Sequence, residues 1–293
     1  MCHPHLVSFC VSLFQSNVTH NNLYEYTLCS LIYIVGSEMM ETRLRQMIKE
    51  HGPTKWHDCV SSLINSCVDE TNSSKQDVLD AAASMPYLID VRGSLEDVTN
   101  DDTCGQAIIS DGNDVFIDVF IKRNEMENCF THGIETNIGN WDDCAPNITK
   151  PNAQFSVVYQ STKYGGHSCK KCPPNLCKSQ VLTNILRRID AKRPRIVYVG
   201  DGSNDVCPVL NVMEGRDVLL AREGKRIGNP NSKSGEQPDV EGIDDLTGTQ
   251  FPITSTIVKR QRVDGLVPNC RICTWNSGRE LRNLVKDILD ETK

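Results

Sequence analysis

The chain has 293 residues with a formal net charge of -7, and is 39% hydrophobic and 24% charged, which is enough apolar sequence for an ordinary buried core. The acidic balance, with a pI near 5.5, argues against a general binder of nucleic-acid backbones. Its fourteen cysteines are too thinly spread for a disulfide-stapled miniprotein, and a core of this size needs no staples, so most of them read as thiols in a reducing compartment.

The longest apolar stretches, Leu6–Phe14 and Thr27–Gly36, are about half of what a membrane-spanning helix requires. The first fifteen residues hold no Lys or Arg, unlike the basic flank of a signal peptide. The expectation is a cytoplasmic protein without membrane association.

Residues 1–37 are apolar and rich in Cys, Ser and Asn, without clear helix caps. Helical periodicity begins after them. Met40, Leu44, Met47 and Ile48 share one face, and so do Trp56, Val60, Leu63, Ile64, Cys67 and Val68. A third helix is expected from Ser74, with Asp77 completing a capping box, to just before Pro86. These three make a compact helical subdomain over residues 38–86.

The pattern then changes to strands and helices in alternation. Ala107-Ile108-Ile109-Ser110 reads as a buried parallel strand, and Ile196-Val197-Tyr198-Val199 as another that ends at Gly200. Between them Val181, Leu182, Ile185, Leu186 and Ile189 mark a helix. Such alternation implies an α/β core with a parallel sheet and right-handed crossovers, here residues 87–221. Residues 222–262, with Gly228-Asn229-Pro230-Asn231-Ser232, read as a flexible surface insertion. A strand and helix complete the core over 263–293, the helix opening with Ser277 and Glu280 and carrying Leu281, Leu284, Val285, Ile288 and Leu289 on one face.

Three short segments carry chemistry. Gly200-Asp201-Gly202-Ser203-Asn204-Asp205 follows a strand, where open α/β sheets bind ligands, and its two carboxylates suit Mg²⁺. Ser110-Asp111-Gly112-Asn113 follows another strand, and its hydroxyl and backbone N–H groups can hold phosphate oxygens, although any solvated turn is built from the same residues. Lys178 opens a helix and can neutralise a phosphoryl group, with Lys170 and Lys171 as rivals.

Ser at one strand end, Lys at a helix start and GDxxxD at another strand end, in that order, resemble the haloacid dehalogenase superfamily. Gln106–Asp118 (QAIISDGNDVFID), His167–Leu182 (HSCKKCPPNLCKSQVL) and Ile196–Pro208 (IVYVGDGSNDVCP) are similar to the phosphoethanolamine/phosphocholine phosphatases and their pyridoxal phosphate phosphatase relatives, as is Trp275-Asn276-Ser277-Gly278 before the last helix. The resemblance spans roughly residues 40–220 and 270–293. It implies a Rossmannoid core, a small helical cap inserted after the first strand, and Mg²⁺-dependent hydrolysis of a small phosphate monoester through an aspartyl-phosphate. It further implies that Ser110 binds the phosphoryl group, Lys178 steadies it, Asp201 and Asp205 hold the metal, and Asp111 and Asn113 line the substrate side. The esters in view are phosphoethanolamine, phosphocholine and pyridoxal 5′-phosphate.

The family carries DxDxT on its first strand, the first Asp attacking phosphorus and the second serving as acid/base. This sequence contains no D-x-D. The best match is Leu6–Ser12, where Cys10 and Ser12 occupy the two carboxylate positions and residues 1–37 form a divergent segment in place of the first core strand. A catalytically inactive homologue that binds phosphate and Mg²⁺ is therefore the second reading.

A third reading comes from His167, Cys169, Cys172 and Cys177, which can supply four tetrahedral ligands to zinc and make a zinc-stabilised interaction protein. The other C-x₂-C pair, Cys270 and Cys273, lies about a hundred residues away, too far for a zinc ribbon. The basic runs Arg187–Arg195 and Lys259–Arg262 read as solvated surface rather than nucleic-acid contacts, given the net acidity.

Overall fold

The computed structural model describes residues 7–11, 43, 46, 47, 49–51, 56–142 except Pro86, 154–189 except Tyr164, 193–223 and 253–291. Its strands are β1 Val7–Val11, β2 Cys104–Asn113, β3 Ile134–Asp142, β4 Gln154–Val158, β5 Arg195–Gly200, β6 Val218–Arg222 and β7 Arg271–Trp275. Its helices are α1 Trp56–Thr71, α2 Lys75–Ala83, α3 Ile89–Thr99, α4 Asp114–Arg123, α5 Gln160–Lys163, α6 Lys178–Arg188, α7 Val206–Asn211, α8 Ile253–Asp264 and α9 Gly278–Asp290.

The strands form one sheet in the order β4-β3-β2-β1-β5-β6-β7. Every neighbouring pair is parallel except β3 and β4. The central strand is β1, with Cys10 opposite Ala107 on one side and Tyr198 on the other. A parallel sheet buried on both faces explains why its strands read as unbroken apolar runs.

The period-two alternation of strands sorts these runs into two cores. Ile108, Val197, Val199, Val218 and Leu220 face a large cluster with Val60, Leu63 and Ile64 of α1, Phe116 and Phe120 of α4, and Leu281 and Val285 of α9. Ala107, Ile109, Ile196, Tyr198, Leu219 and Ala221 face a smaller cluster with Val181, Leu182 and Ile185 of α6, Val209 of α7, and Ile253 and Ile257 of α8. Each Val, Leu, Ile or Phe among them, fully buried, contributes about 1.5–3 kcal/mol.

The helix starts follow their caps. Ser74 Oγ accepts from Asp77 N–H while Asp77 Oδ2 accepts from Ser74 N–H at 2.7 Å, so α2 opens with the expected capping box. Ser277 Oγ accepts from Glu280 N–H, but the Glu280 carboxylate reaches one residue further back, to Asn276 N–H at 2.7 Å.

The expected surface insertion at 222–262 needs correction at both ends. Arg222 is the last residue of β6 and almost fully buried, and Ile253–Asp264 is α8. Ile253 and Ile257, one turn apart, fill the smaller core and so hold a segment whose charges otherwise suggest a loop. Residues 224–252 lie outside the described residues, as do Ser12 and most of the 1–37 segment. Among the described residues no helix is long and apolar enough to cross a membrane.

Candidate active site

The carboxyl ends of β2 and β5 converge with the start of α6. At β2 the pairing with β3 shifts register between Ile109 and Asn113, so that the Ser110–Gly112 segment bulges out of the ladder. Asn137 of β3 pins the bulge, its Nδ2 donating to the Asp111 and Gly112 carbonyls at 2.8 and 3.0 Å while its Oδ1 accepts from Gln160 N–H at 2.9 Å. Ser110 is buried, and its Oγ accepts from Gly112 N–H at 3.0 Å. Asn113 does not face a substrate side as expected. Its Oδ1 accepts from Phe116 N–H at 3.0 Å and caps α4, with the residue fully buried.

At β5, Gly200 admits no side chain, since a Cβ there would lie 2.9 Å from Asp205 Cβ and 3.0 Å from Tyr198 Cε1. That close approach lets the loop fold back on itself. Asp205 Oδ2 accepts from the backbone N–H groups of Asp201 and Gly202 at 3.1 and 3.0 Å. Its Oδ1 accepts from Lys178 Nζ at 2.7 Å and from the Tyr198 hydroxyl at 2.8 Å. Asp205, expected beside the metal, has both oxygens engaged by four donors, so it also holds Lys178 and the loop.

Lys178 is the buried member of the three candidate lysines. Lys170 is exposed and Lys171 pairs with Asp264 of α8 at the surface. The Lys178 ammonium lies 2.7 Å from Asp205 and 3.7 Å from Asp111. Burial opposes its charge, but the Asp205 and Asp111 carboxylates outweigh burial and hold its pKa above the ordinary lysine value. Asp111 in turn accepts from Asn204 Nδ2 at 2.8 and 3.0 Å, which ties the two loops together.

Asp201 differs from its neighbours. It is buried, and its Oδ1 has no hydrogen-bond partner among the described residues. Burial first, and the Asp205 charge second, push its carboxyl well above the usual carboxylate range. An orphaned, hard oxygen donor in a cluster of acidic groups is the environment that a divalent cation relieves, so the residues present fit Mg²⁺ at Asp201. Lys178 first, and then Arg222, stacked 5.1 Å over the Trp275 ring, partly offset that shift with their positive charge.

The rim carries His57 of α1, whose Nε2 accepts from Asn175 Nδ2 at 2.9 Å. Burial lowers its pKa, against the opposing pull of Asp111 and Asp58, which leaves a neutral ring beside the loops. Sequence reading missed His57, Asn137, Asn175, Tyr198, Asn204 and Arg222. Tyr198 and Asn204 stand inside the GDxxxD segment and its strand, so the motif pointed to the right place without resolving their roles.

Cys10 lies on β1 between the two site-bearing strands, and Ser12 lies outside the described residues. Three of the four expected zinc ligands come together, but the fourth group is Cys207 rather than His167. His167 Nε2 instead donates to the Pro173 carbonyl at 2.8 Å.

Residues 28–238 match the family model described as Putative Phosphatase. The rat (Rattus norvegicus) pyridoxal phosphate phosphatase PHOSPHO2 is 30% identical over 232 residues, covering 77% of this chain and 78% of that protein. Its mouse (Mus musculus) counterpart is 35% identical over 150 residues, covering 49% of this chain. A thiamine phosphate phosphatase-like protein of Arabidopsis thaliana is 30% identical over 166 residues, covering 54% of this chain and 64% of that protein. The chain spans just over half, 56%, of the mouse protein's length. With the Ser110 bulge, Lys178 and the Asp201–Asp205 loop gathered at one sheet edge and the family match running through all three, this chain belongs to the Putative Phosphatase family.

Proposed function

We propose that this sheet edge is a phosphomonoesterase site, which binds the phosphoryl group of a small ester and hydrolyses it with Mg²⁺. The observation that carries the reading is the buried Lys178 ammonium, fixed between Asp205 and Asp111 at the carboxyl end of the parallel strands. A fixed cation in a dry setting, beside a Ser-bearing bulge and the unpartnered Asp201 Oδ1, is a receptor for a dianionic oxygen cluster.

In this reading the Ser110 hydroxyl and the bulge N–H groups receive phosphoryl oxygens, and Lys178 neutralises their charge. Asp205 and Tyr198 are positioning residues, because they act through the lysine. Asp201 would hold Mg²⁺, which when bound supplies positive charge to the phosphoryl oxygens and draws the site together. Asp111 stands at the substrate side, braced by Asn204. The helices α1 and α2 would serve as the cap that selects the ester, with His57 as their contact to the site loops. Relatives named for pyridoxal phosphate and thiamine phosphate support a small phosphorylated substrate, and phosphoethanolamine and phosphocholine remain in the same chemical class.

A specific observation favours a second reading, binding without turnover: no D-x-D occurs in the chain, and Cys10 stands at the nucleophile position. Hydrolysis of p-nitrophenyl phosphate and of the three named esters with Mg²⁺ separates the two. Cys10→Asp/Ser12→Asp is expected to hydrolyse at least one ester, with the unmodified chain slower by on the order of a thousandfold or more. Measurable hydrolysis by the unmodified chain supports the first reading, whereas activity confined to the double variant, or failure of both proteins while both still bind Mg²⁺, would replace it with the second for this chain.

A further inference from the structure

Four thiols that the phosphatase chemistry does not use meet behind the Lys178–Asp205 pair. The Sγ atoms of Cys169, Cys172, Cys177 and Cys207 all lie within 4.8 Å of one another. Cys207 Sγ is 3.8 Å from Cys169 Sγ and 3.9 Å from Cys177 Sγ. We propose that these four cysteines bind one Zn²⁺ as a tetrathiolate site that clips the loop before α6 to the first turn of α7.

The geometry suits the ion. Zinc–thiolate bonds of about 2.3 Å in a tetrahedron place sulfurs about 3.8 Å apart, which the 3.8 and 3.9 Å separations from Cys207 match. Cys169 and Cys172 form a C-x₂-C step, the usual two-ligand half of a structural zinc site. The other two ligands come from separate elements, Cys177 at the cap of α6 and Cys207 in α7. Donors are also aimed at the sulfurs. Asn211 Nδ2 donates to Cys207 Sγ at 3.5 Å, and the Gln180 backbone N–H donates to Cys177 at the positive end of α6. Such donors stabilise thiolate ligands rather than packed, neutral thiols.

The loop itself needs a fastening. Residues 165–177 contain no helix or strand, and Pro173 and Pro174 have no N–H to give. The Pro173, Pro174 and Asn175 carbonyls accept from His167, Ser161 Oγ and Ser161 N–H, respectively, which fixes one side of the loop. The thiol cluster fixes the other. Cys177 directly precedes Lys178, and Cys207 follows Asp205 by two residues, so the ion would lock the two segments that the Lys178–Asp205 bond joins. This inference stands apart from the phosphatase reading, because none of its ligands belongs to the phosphate or Mg²⁺ site.

The test uses the full chain, purified under reducing conditions, with Zn²⁺ and Co²⁺ as probes. Elemental analysis is expected to find about one zinc per chain, and Co²⁺ to give the intense sulfur-to-metal charge-transfer absorption of a tetrahedral tetrathiolate. Cys207→Ser and Cys172→Ser should reduce bound zinc to near zero. His167→Ala, Cys270→Ser and Asp201→Asn should retain both the zinc and the cobalt spectrum. If the cysteine variants fail to fold, the wild-type cobalt spectrum still distinguishes four sulfur ligands from three sulfurs and a histidine. The proposal is overturned if the reduced wild-type chain takes up no zinc, if His167→Ala loses metal while Cys207→Ser keeps it, or if the cobalt spectrum lacks thiolate charge transfer.

Discussion

The two faces of the sheet are held by different means. Against one face lie α1, α4 and α9, with Phe116 stacked on Phe155 at 4.9 Å, Phe155 on Trp141 at 5.0 Å, and Leu63 and Trp275 fully buried. Against the other lie α6, α7 and α8 with a smaller apolar cluster, and at its carboxyl edge the Lys178–Asp205–Tyr198 network and the four thiols. Apolar packing is non-directional and fixes a frame to within its volume. Charged hydrogen bonds are directional and place particular atoms. The contrast assigns the frame to the first face and the placement of the candidate site groups to the second.

Removing the cation tests that division most severely. Lys178→Ala leaves the buried Asp205 facing Asp111 and Asp201 without its compensating charge, and breaking such a pair costs about 3–5 kcal/mol. Urea unfolding should show that loss, and Lys178→Met combined with Asp205→Asn should recover part of it by removing both charges together. A Lys178→Ala protein as stable as wild type would mean that the network does not hold this face. Leu63→Ala sharpens the comparison from the apolar side. It should cost about 2–5 kcal/mol while leaving Mg²⁺ binding by the folded protein unchanged.

The smallest effect concerns His57, which bridges α1 and the site loops. Its folded pKa is depressed below 6.5 by burial, so the unfolded chain binds the proton more readily. Stability from the neutral ring is complete above pH 6.5 and is lost as the pH falls through 6.5 toward the folded value. Melting curves between pH 7 and 5 should therefore fall more steeply for wild type than for His57→Gln, by at most about 1.4 kcal/mol per pH unit. Equal slopes would remove His57 from the comparison.

What the sequence made legible was local. Asp201, Ser110 and Lys178 each stand in a short segment at a strand or helix end, where residue type and position coincide. Their partners were hidden by separation. Asn204 meets Asp111 across 93 residues, and Asn175 meets His57 across 118. The motif shows that Asp201 and Asp205 are near one another, but not that Asp205 accepts from Lys178, Tyr198 and two backbone N–H groups. Cys207 escaped for a similar reason, since the histidine at the expected spacing stood closer in sequence than the thiol that stands closer in space. Among the elements, α4 carried no expectation of its own, and the structure shows its start fixed by the Asn113 cap and its Phe116, Ile117, Phe120 and Ile121 buried on one face.

The central claim, that Asp201, with its buried and unpartnered Oδ1, makes this edge a cation-assisted phosphate site, is tested most directly by thermal melts of wild type and Asp201→Asn with and without Mg²⁺. The expected result is a Mg²⁺-dependent rise in Tm for wild type and none for the variant. The metal-free variant should be at least as stable as metal-free wild type, because the amide cannot carry the charge that burial and Asp205 disfavour. Identical Mg²⁺ responses in the two proteins, or a metal-free variant much less stable than wild type, would contradict the assignment.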